Sequence, residues 1–142
     1  MPTLSKEEMD WISVLMQKTG AFAKDCLLDE AQGRIIFLVS KSDVGRVIGR
    51  RGETIRQLRQ TFGKEIEVVE YSDDLEQFAR NTIAPVSVQK FNVTDKGDKK
   101  TVVLTVDAKD KGRAIGKEGR VLKRSRLLLQ RHFGVDNVVV TN

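Results

Sequence analysis

Asp43-Val44-Gly45-Arg46-Val47-Ile48-Gly49-Arg50-Arg51-Gly52 and Asp110-Lys111-Gly112-Arg113-Ala114-Ile115-Gly116-Lys117-Glu118-Gly119 are two versions of one pattern, set 67 residues apart. Downstream, Phe62-Gly63 matches Phe133-Gly134 at an offset of 71, so the second version has gained four residues in between. That is close to one helical turn, an insertion an amphipathic helix absorbs without rotating its buried face. Similarity on this spacing predicts two copies of one small domain, residues 1–71 and 72–142 of the 142.

Outward from the repeat, each copy gives the same order of elements. In the first, Ser5 and Glu8 form a capping box, and Met9, Ile12 and Met16 mark a helical stripe that ends near Gly20. Phe22 to Leu28 and Arg34 to Ser40 are β-rich runs joined across Glu30-Ala31-Gln32-Gly33. A short helix from Asp43 reaches Gly49, and a second from Gly52 to Phe62 carries Ile55, Leu58 and Phe62 on one face. Glu65 to Glu70 closes the copy as a strand. In the second, Ser72 caps a helix bearing Leu75, Phe78 and Thr82 that stops before Pro85. Val86 to Thr94 and Lys100 to Asp107 make a hairpin around Lys96-Gly97-Asp98. A helix with Val121, Leu122, Leu128, Leu129 and Phe133 follows, then a strand over Asn137 to Thr141. The order is αββααβ twice, an α+β architecture, with only Tyr71-Ser72 between the copies. Each copy is small for an independent core, which predicts that the halves pack together.

The chain is 39% hydrophobic and 32% charged, and no apolar run approaches the roughly 18 residues a membrane span needs. The segment after Met1 turns acidic at Glu7 and Glu8 without an apolar signal core, so no export is expected. One cysteine, Cys26, excludes an internal disulfide and any multi-cysteine zinc site. These features predict a cytoplasmic protein. Net charge is +5, but residues 41–64 carry +5 and residues 109–131 carry +7, which leaves −7 elsewhere. Two basic islands on an acidic chain point to two anion-facing surfaces.

Gly49-Arg50-Arg51-Gly52 and Gly116-Lys117-Glu118-Gly119 sit between helices in those islands. Glycine lets backbone approach an anion closely, and the helix that follows presents unpaired N–H groups and a positive dipole end. Arg50, Arg51 and Lys117 add charge at the contact; Glu118 subtracts it. Catalysis has little to build on. Gly112-x-x-x-Gly116-Lys117-Glu118 is one residue short of a P-loop and lacks its hydroxyl, and Gly45-x-x-x-Gly49-x-x-Gly52 misses the dinucleotide fingerprint. A single histidine and a single cysteine assemble no nucleophile–base or transition-metal site. No catalytic residue, metal or cofactor is expected.

Ile48-Gly49-x-x-Gly52-x-x-Ile55 and Ile115-Gly116-x-x-Gly119-x-x-Leu122, in the same element order, resemble the KH domain, whose GxxG loop clamps about four nucleotides of backbone. The order is similar to the type II variant. The resemblance implies two tandem type II KH domains, each a three-stranded mixed sheet with helices on one face. Phe78-Ala79-Arg80-Asn81-Thr82-Ile83-Ala84-Pro85, together with Lys111 to Gly119, is similar to the paired KH module of the transcription factor NusA in its short archaeal form. That resemblance implies single-stranded RNA as the partner, a role in transcription elongation or termination, and RNA polymerase as a further partner by resemblance alone. The residues it assigns to RNA are Ile48, Gly49, Arg50, Arg51, Gly52, Ile55 and Arg56 in the first copy. In the second they are Ile115, Gly116, Lys117, Glu118, Gly119, Leu122 and Lys123. The four isoleucine and leucine positions also serve the core, and Arg56, Arg59, Lys123 and Arg124 are as compatible with solvent as with phosphate. Gly45, Gly63, Gly112 and Gly134 read as turn or cap glycines, and His132, Cys26 and Trp11 as packing residues. The rival readings are a ribosome-associated KH protein and an interaction adaptor with weakened RNA binding, which Glu118 favours slightly.

Overall fold

The computed structural model describes residues 3–142, which divide into two compact units, Thr3–Tyr71 and Ser72–Asn142.

The first unit opens with α1 (Lys6–Thr19). Its start is fixed by both bonds of a capping box: Glu8 N–H donates to Ser5 Oγ at 3.1 Å, and Ser5 N–H donates to Glu8 Oε1 at 2.9 Å. The second carboxylate oxygen of Glu8 accepts from Leu28 N–H at 3.3 Å, tying the helix to β1 (Ala23–Asp29). The buried face of α1 is not the expected Met9–Ile12–Met16 stripe. Met9 and Met16 are exposed, and Leu15, with Trp11 and Ile12 beside it, faces the core. β2 (Arg34–Val39) runs antiparallel to β1 and parallel to β3 (Glu65–Glu70), so the sheet is mixed with β2 in the middle. The crossover from β2 to β3 is α2 (Lys41–Ile48) followed by α3 (Glu53–Phe62). Ile35, Phe37 and Val39 alternate along one face of β2 and meet Leu15, Val47, Ile55 and Leu58 from the three helices. At roughly 1.5–3 kcal/mol for each large apolar side chain fully buried, this face is what holds the unit together. Arg34, wholly buried at the start of β2, is neutralised by Asp29 (Nε–Oδ2, 2.8 Å) and Glu67 (3.2 Å), which fastens the beginnings of β2 and β3 to the end of β1.

The second unit repeats the order: α4 (Leu75–Thr82), β4 (Val88–Lys96), β5 (Lys99–Val106), α5 (Lys111–Ile115), α6 (Arg120–Phe133) and β6 (Asn137–Thr141). Its sheet is again mixed, with β5 between antiparallel β4 and parallel β6. Ser72 is not the cap of α4. Asp74 is, accepting from Gln77 N–H at 2.9 Å, while Ser72 Oγ accepts from Asp74 N–H and shapes the approach. Phe78 packs against Phe133 and, edge-on, His132. The buried hydroxyls of Thr82 and Ser125 bond each other at 2.7 Å, and this satisfied pair fixes α4 against α6. Arg124 closes the end of α4 by donating to the Thr82 carbonyl at 2.8 Å. No helix among the described residues is long and apolar enough to cross a membrane.

Candidate nucleic-acid interface

The two Gly-x-x-Gly segments adopt one backbone conformation. Gly49 and Gly116 have φ/ψ of 76°/174° and 82°/165°, Arg51 and Glu118 of 55°/28° and 58°/26°, and Gly52 and Gly119 of 72°/16° and 75°/17°. In both, the second glycine donates to the carbonyl of the first, at 3.1 and 3.0 Å. Positive φ with extended ψ is a region only glycine populates readily. Contact adds a second constraint there: a Cβ on Gly49 would run into Thr54, with its backbone nitrogen at 2.8 Å, and one on Gly116 would meet Val121 at 2.8 Å. The first glycine therefore lets the loop lie flat on the next helix. At Gly52 and Gly119 a Cβ would meet nothing nearer than an arginine or lysine side chain at 3.4 or 3.6 Å, so only the left-handed backbone asks for glycine.

The helices that follow begin bare. α1 and α4 have side-chain caps from Ser5 and Asp74, whereas α3 and α6 start on Gly52 and Gly119 with no side-chain cap. The first N–H of α3 and of α6, on Glu53 and Arg120, donates back to the Arg50 and Lys117 carbonyls of the loop, and no side chain caps the rest of the turn, which faces an external acceptor. Around them Arg50, Arg51, Lys117 and Lys123 are exposed. Arg56 is committed differently: its guanidinium donates to the Arg51 carbonyl at 2.9 Å and braces the loop. Arg59 pairs with Glu65 at 2.7 Å, and Arg124 caps α4, so neither is placed as a loop cation. Arg46 and Arg113 are each held at 2.8 Å by the aspartate three residues before, Asp43 and Asp110. Of the apolar positions, Ile55 belongs to the core, Ile48 is 37% exposed beside the loop, and Ile115 and Leu122 are half-buried.

Two glycines beside the loops differ from the sequence reading. Gly63 and Gly134 are the left-handed helix caps expected of them, with φ of 66° and 65°. Gly45 and Gly112 are neither turns nor caps. They lie inside α2 and α5 without positive φ, and a Cβ on either would meet nothing within 4 Å. A helix-interior glycine costs about 0.5–1 kcal/mol relative to alanine, and nothing in either unit requires it. Both sit four residues before the first loop glycine, leaving a bare patch of helix beside the loop. The recurrence of Gly-x-x-x-Gly at the offset of 67 was the signal in the sequence.

Two units with this topology, each carrying a helix–GxxG–helix loop, define a class of nucleic-acid-binding module, and the family model of the KH domain matches residues 10–97. The chain is 36% identical to the "Probable transcription termination protein NusA" of Halococcus morrhuae over 96% of both proteins. It is 33% identical to the protein of the same description in Methanococcus vannielii, over 96% of this chain and 78% of that one. The crystal structure of APE1850 superposes with a TM-score of 0.88 at 47% identity, covering 96% of this chain and 99% of the other. The chain belongs to the NusA family, in its short archaeal form.

Proposed function

We propose that this protein binds single-stranded RNA through two type II KH domains in tandem, residues 1–71 and 72–142, and acts through that binding in transcription elongation or termination. The observation that carries the reading is the duplicated loop: one strained backbone conformation held twice, each leading into a helix without a side-chain cap and each beside a helix surface bared by glycine. Phosphates of an extended strand meet the N–H groups of α3 and α6 with Arg50, Arg51 and Lys117 alongside. Sugars and bases lie over Gly45 and Gly112, against Ile48 and Ile115. Ile55, Arg56 and Leu122 support the groove from beneath, Gly52 and Gly119 admit the backbone, and Lys123 adds charge at the second loop. Glu118 makes the second loop the weaker of the two. Side-chain readout of bases in KH domains depends on splayed, single-stranded nucleotides.

The names of the relatives support the transcriptional setting, and RNA polymerase as a second partner follows from the same kinship. A filter-binding competition among single-stranded RNA, duplex RNA and single-stranded DNA of one sequence tests the reading. Single-stranded RNA is expected to compete best; equal competition by duplex would favour the ribosome-type reading, and no competition by any of the three the adaptor.

A further inference from the structure

Phe22 is the most exposed large apolar side chain in the described residues, at 61%, yet its backbone is firmly placed. Its N–H donates to Asp43 Oδ2 at 3.1 Å, and the preceding Ala21 N–H donates to Thr19 Oγ1 at 3.0 Å. Asp43 is the same buried carboxylate that holds Arg46, so Phe22 is tethered to α2. Beside it opens a recess of about 440 Å³ lined by Phe22, Lys24, Ser40, Lys41, Asp43 and Tyr71. The Lys24 ammonium stands 4.1 Å over the Tyr71 ring, a cation–π contact that fixes both side chains at its back.

The recess opens at the start of α2, and the first loop follows the end of the same helix. Lys41, Gly45 and Ile48 fall at i, i+4 and i+7, one face of α2, and all three are exposed. At 1.5 Å per residue, the stripe from Lys41 to Gly49 spans about 12 Å. A strand leaving the loop along α2 therefore passes the bare glycine and reaches an exposed ring flanked by lysines. Aromatic rings interleaved with cations are how proteins hold successive bases of a single strand without reading their sequence. The second unit lacks this device. Aligned on the shared irregularities in β1 and β4, Phe22 and Lys24 correspond to Ser87 and Gln89, and at the 67-residue offset of the two loops Lys41 corresponds to Ala108.

We propose that Phe22, backed by Lys24 and Tyr71, is a stacking platform for one further nucleobase of the strand held by the first loop, giving the first unit a longer footprint than the second. The proposal rests on the single-stranded RNA reading. Its test is a fluorescence titration of the full chain with a single-stranded RNA carrying 2-aminopurine at each position in turn. The proteins compared are the wild type, Phe22→Ser, Phe22→Leu and the double variant Arg50→Asp, Arg51→Asp. Phe22→Leu keeps an apolar side chain and removes only the ring, which guards against a folding artefact. Both Phe22 variants are expected to lose about tenfold in affinity, within the worth of one base–aromatic stack, and to lose the quenching of one 2-aminopurine position. If both bind as the wild type does while the arginine variant has lost affinity, the platform is overturned and RNA binding stands. If the arginine variant also binds like the wild type, the first loop is not where the strand is held, and the platform falls with that assignment.

Discussion

Gly49 and Gly52 share a four-residue motif but not a physical role. The first is held by contact with Thr54 in a backbone region closed to other residues; the second needs only a left-handed conformation, with nothing but the Arg56 side chain near its missing Cβ. Gly49→Ala should therefore cost more than the roughly 1–3 kcal/mol of backbone strain alone, and Gly52→Ala only the 1–2 kcal/mol of a left-handed alanine. Thermal unfolding should show a deep drop in melting temperature for Gly49→Ala and a shallow one for Gly52→Ala. Equal drops would mean that the contact with Thr54 does not matter. At the same scale, the sequence displayed which residues are basic but not which are occupied. Arg56, Arg59 and Arg124 look alike in a helical run; the backbone carbonyls and the carboxylate that engage them come from Arg51, Glu65 and Thr82, and only folding brings these within reach.

At the scale of elements, α2 and α5 carry the bare glycine. Gly45→Ala and Gly112→Ala should stabilise the fold by about 0.5–1 kcal/mol each while weakening RNA binding several-fold, because a methyl then stands where the strand lies. Chemical denaturation and a binding titration on the same samples check both halves; a stabilised variant with unchanged affinity would remove these glycines from the interface. Most elements were legible from period and punctuation: the αββααβ order, the capping box at Ser5 and the cap glycines at Gly63 and Gly134. The phase of α1 was not. Met9, Ile12 and Met16 keep helical spacing as well as Trp11, Ile12 and Leu15 do, and periodicity gives a spacing without saying which of two apolar stripes meets the sheet. The start of α4 was ambiguous for a related reason: Ser72, Asp73 and Asp74 can all cap, and the choice fell to the residue whose carboxylate reaches Gln77 N–H.

For the whole molecule, only Tyr71 to Asp74 separate β3 from α4, and so short a tether is expected to give the second loop a high effective concentration for a strand held by the first. Two loops of about four nucleotides each should make affinity rise with RNA length up to roughly eight to twelve nucleotides. The control is the double variant Lys117→Asp, Gly119→Asp, which spares Gly116, where a side chain would collide with Val121. It should lose the gain from length but keep the affinity for short RNA. If the wild type gains nothing beyond about five nucleotides and the variant matches it throughout, the second unit serves another purpose. The division into two compact units and the two Gly-x-x-Gly turns could be read directly from the repeat. The recess at Phe22 could not, because its residues lie as far apart in the chain as Phe22 and Tyr71.

The central claim, that phosphates of a single strand are held at the GxxG loops, is tested most directly by the salt dependence of RNA affinity in the wild type and the Arg50→Asp, Arg51→Asp variant. The substitution is structurally mild: both arginines are exposed, and Arg51 occupies a left-handed position that aspartate tolerates better than most residues. With about four to six phosphates neutralised, log K against log salt should have a slope of roughly −3 to −4 for the wild type, at about −0.7 per phosphate. The variant should keep its circular dichroism, bind far more weakly and show a slope shallower by about 1.4, two phosphates' worth. A wild-type slope near zero at tight binding, or a folded variant with undiminished affinity and slope, would contradict the account.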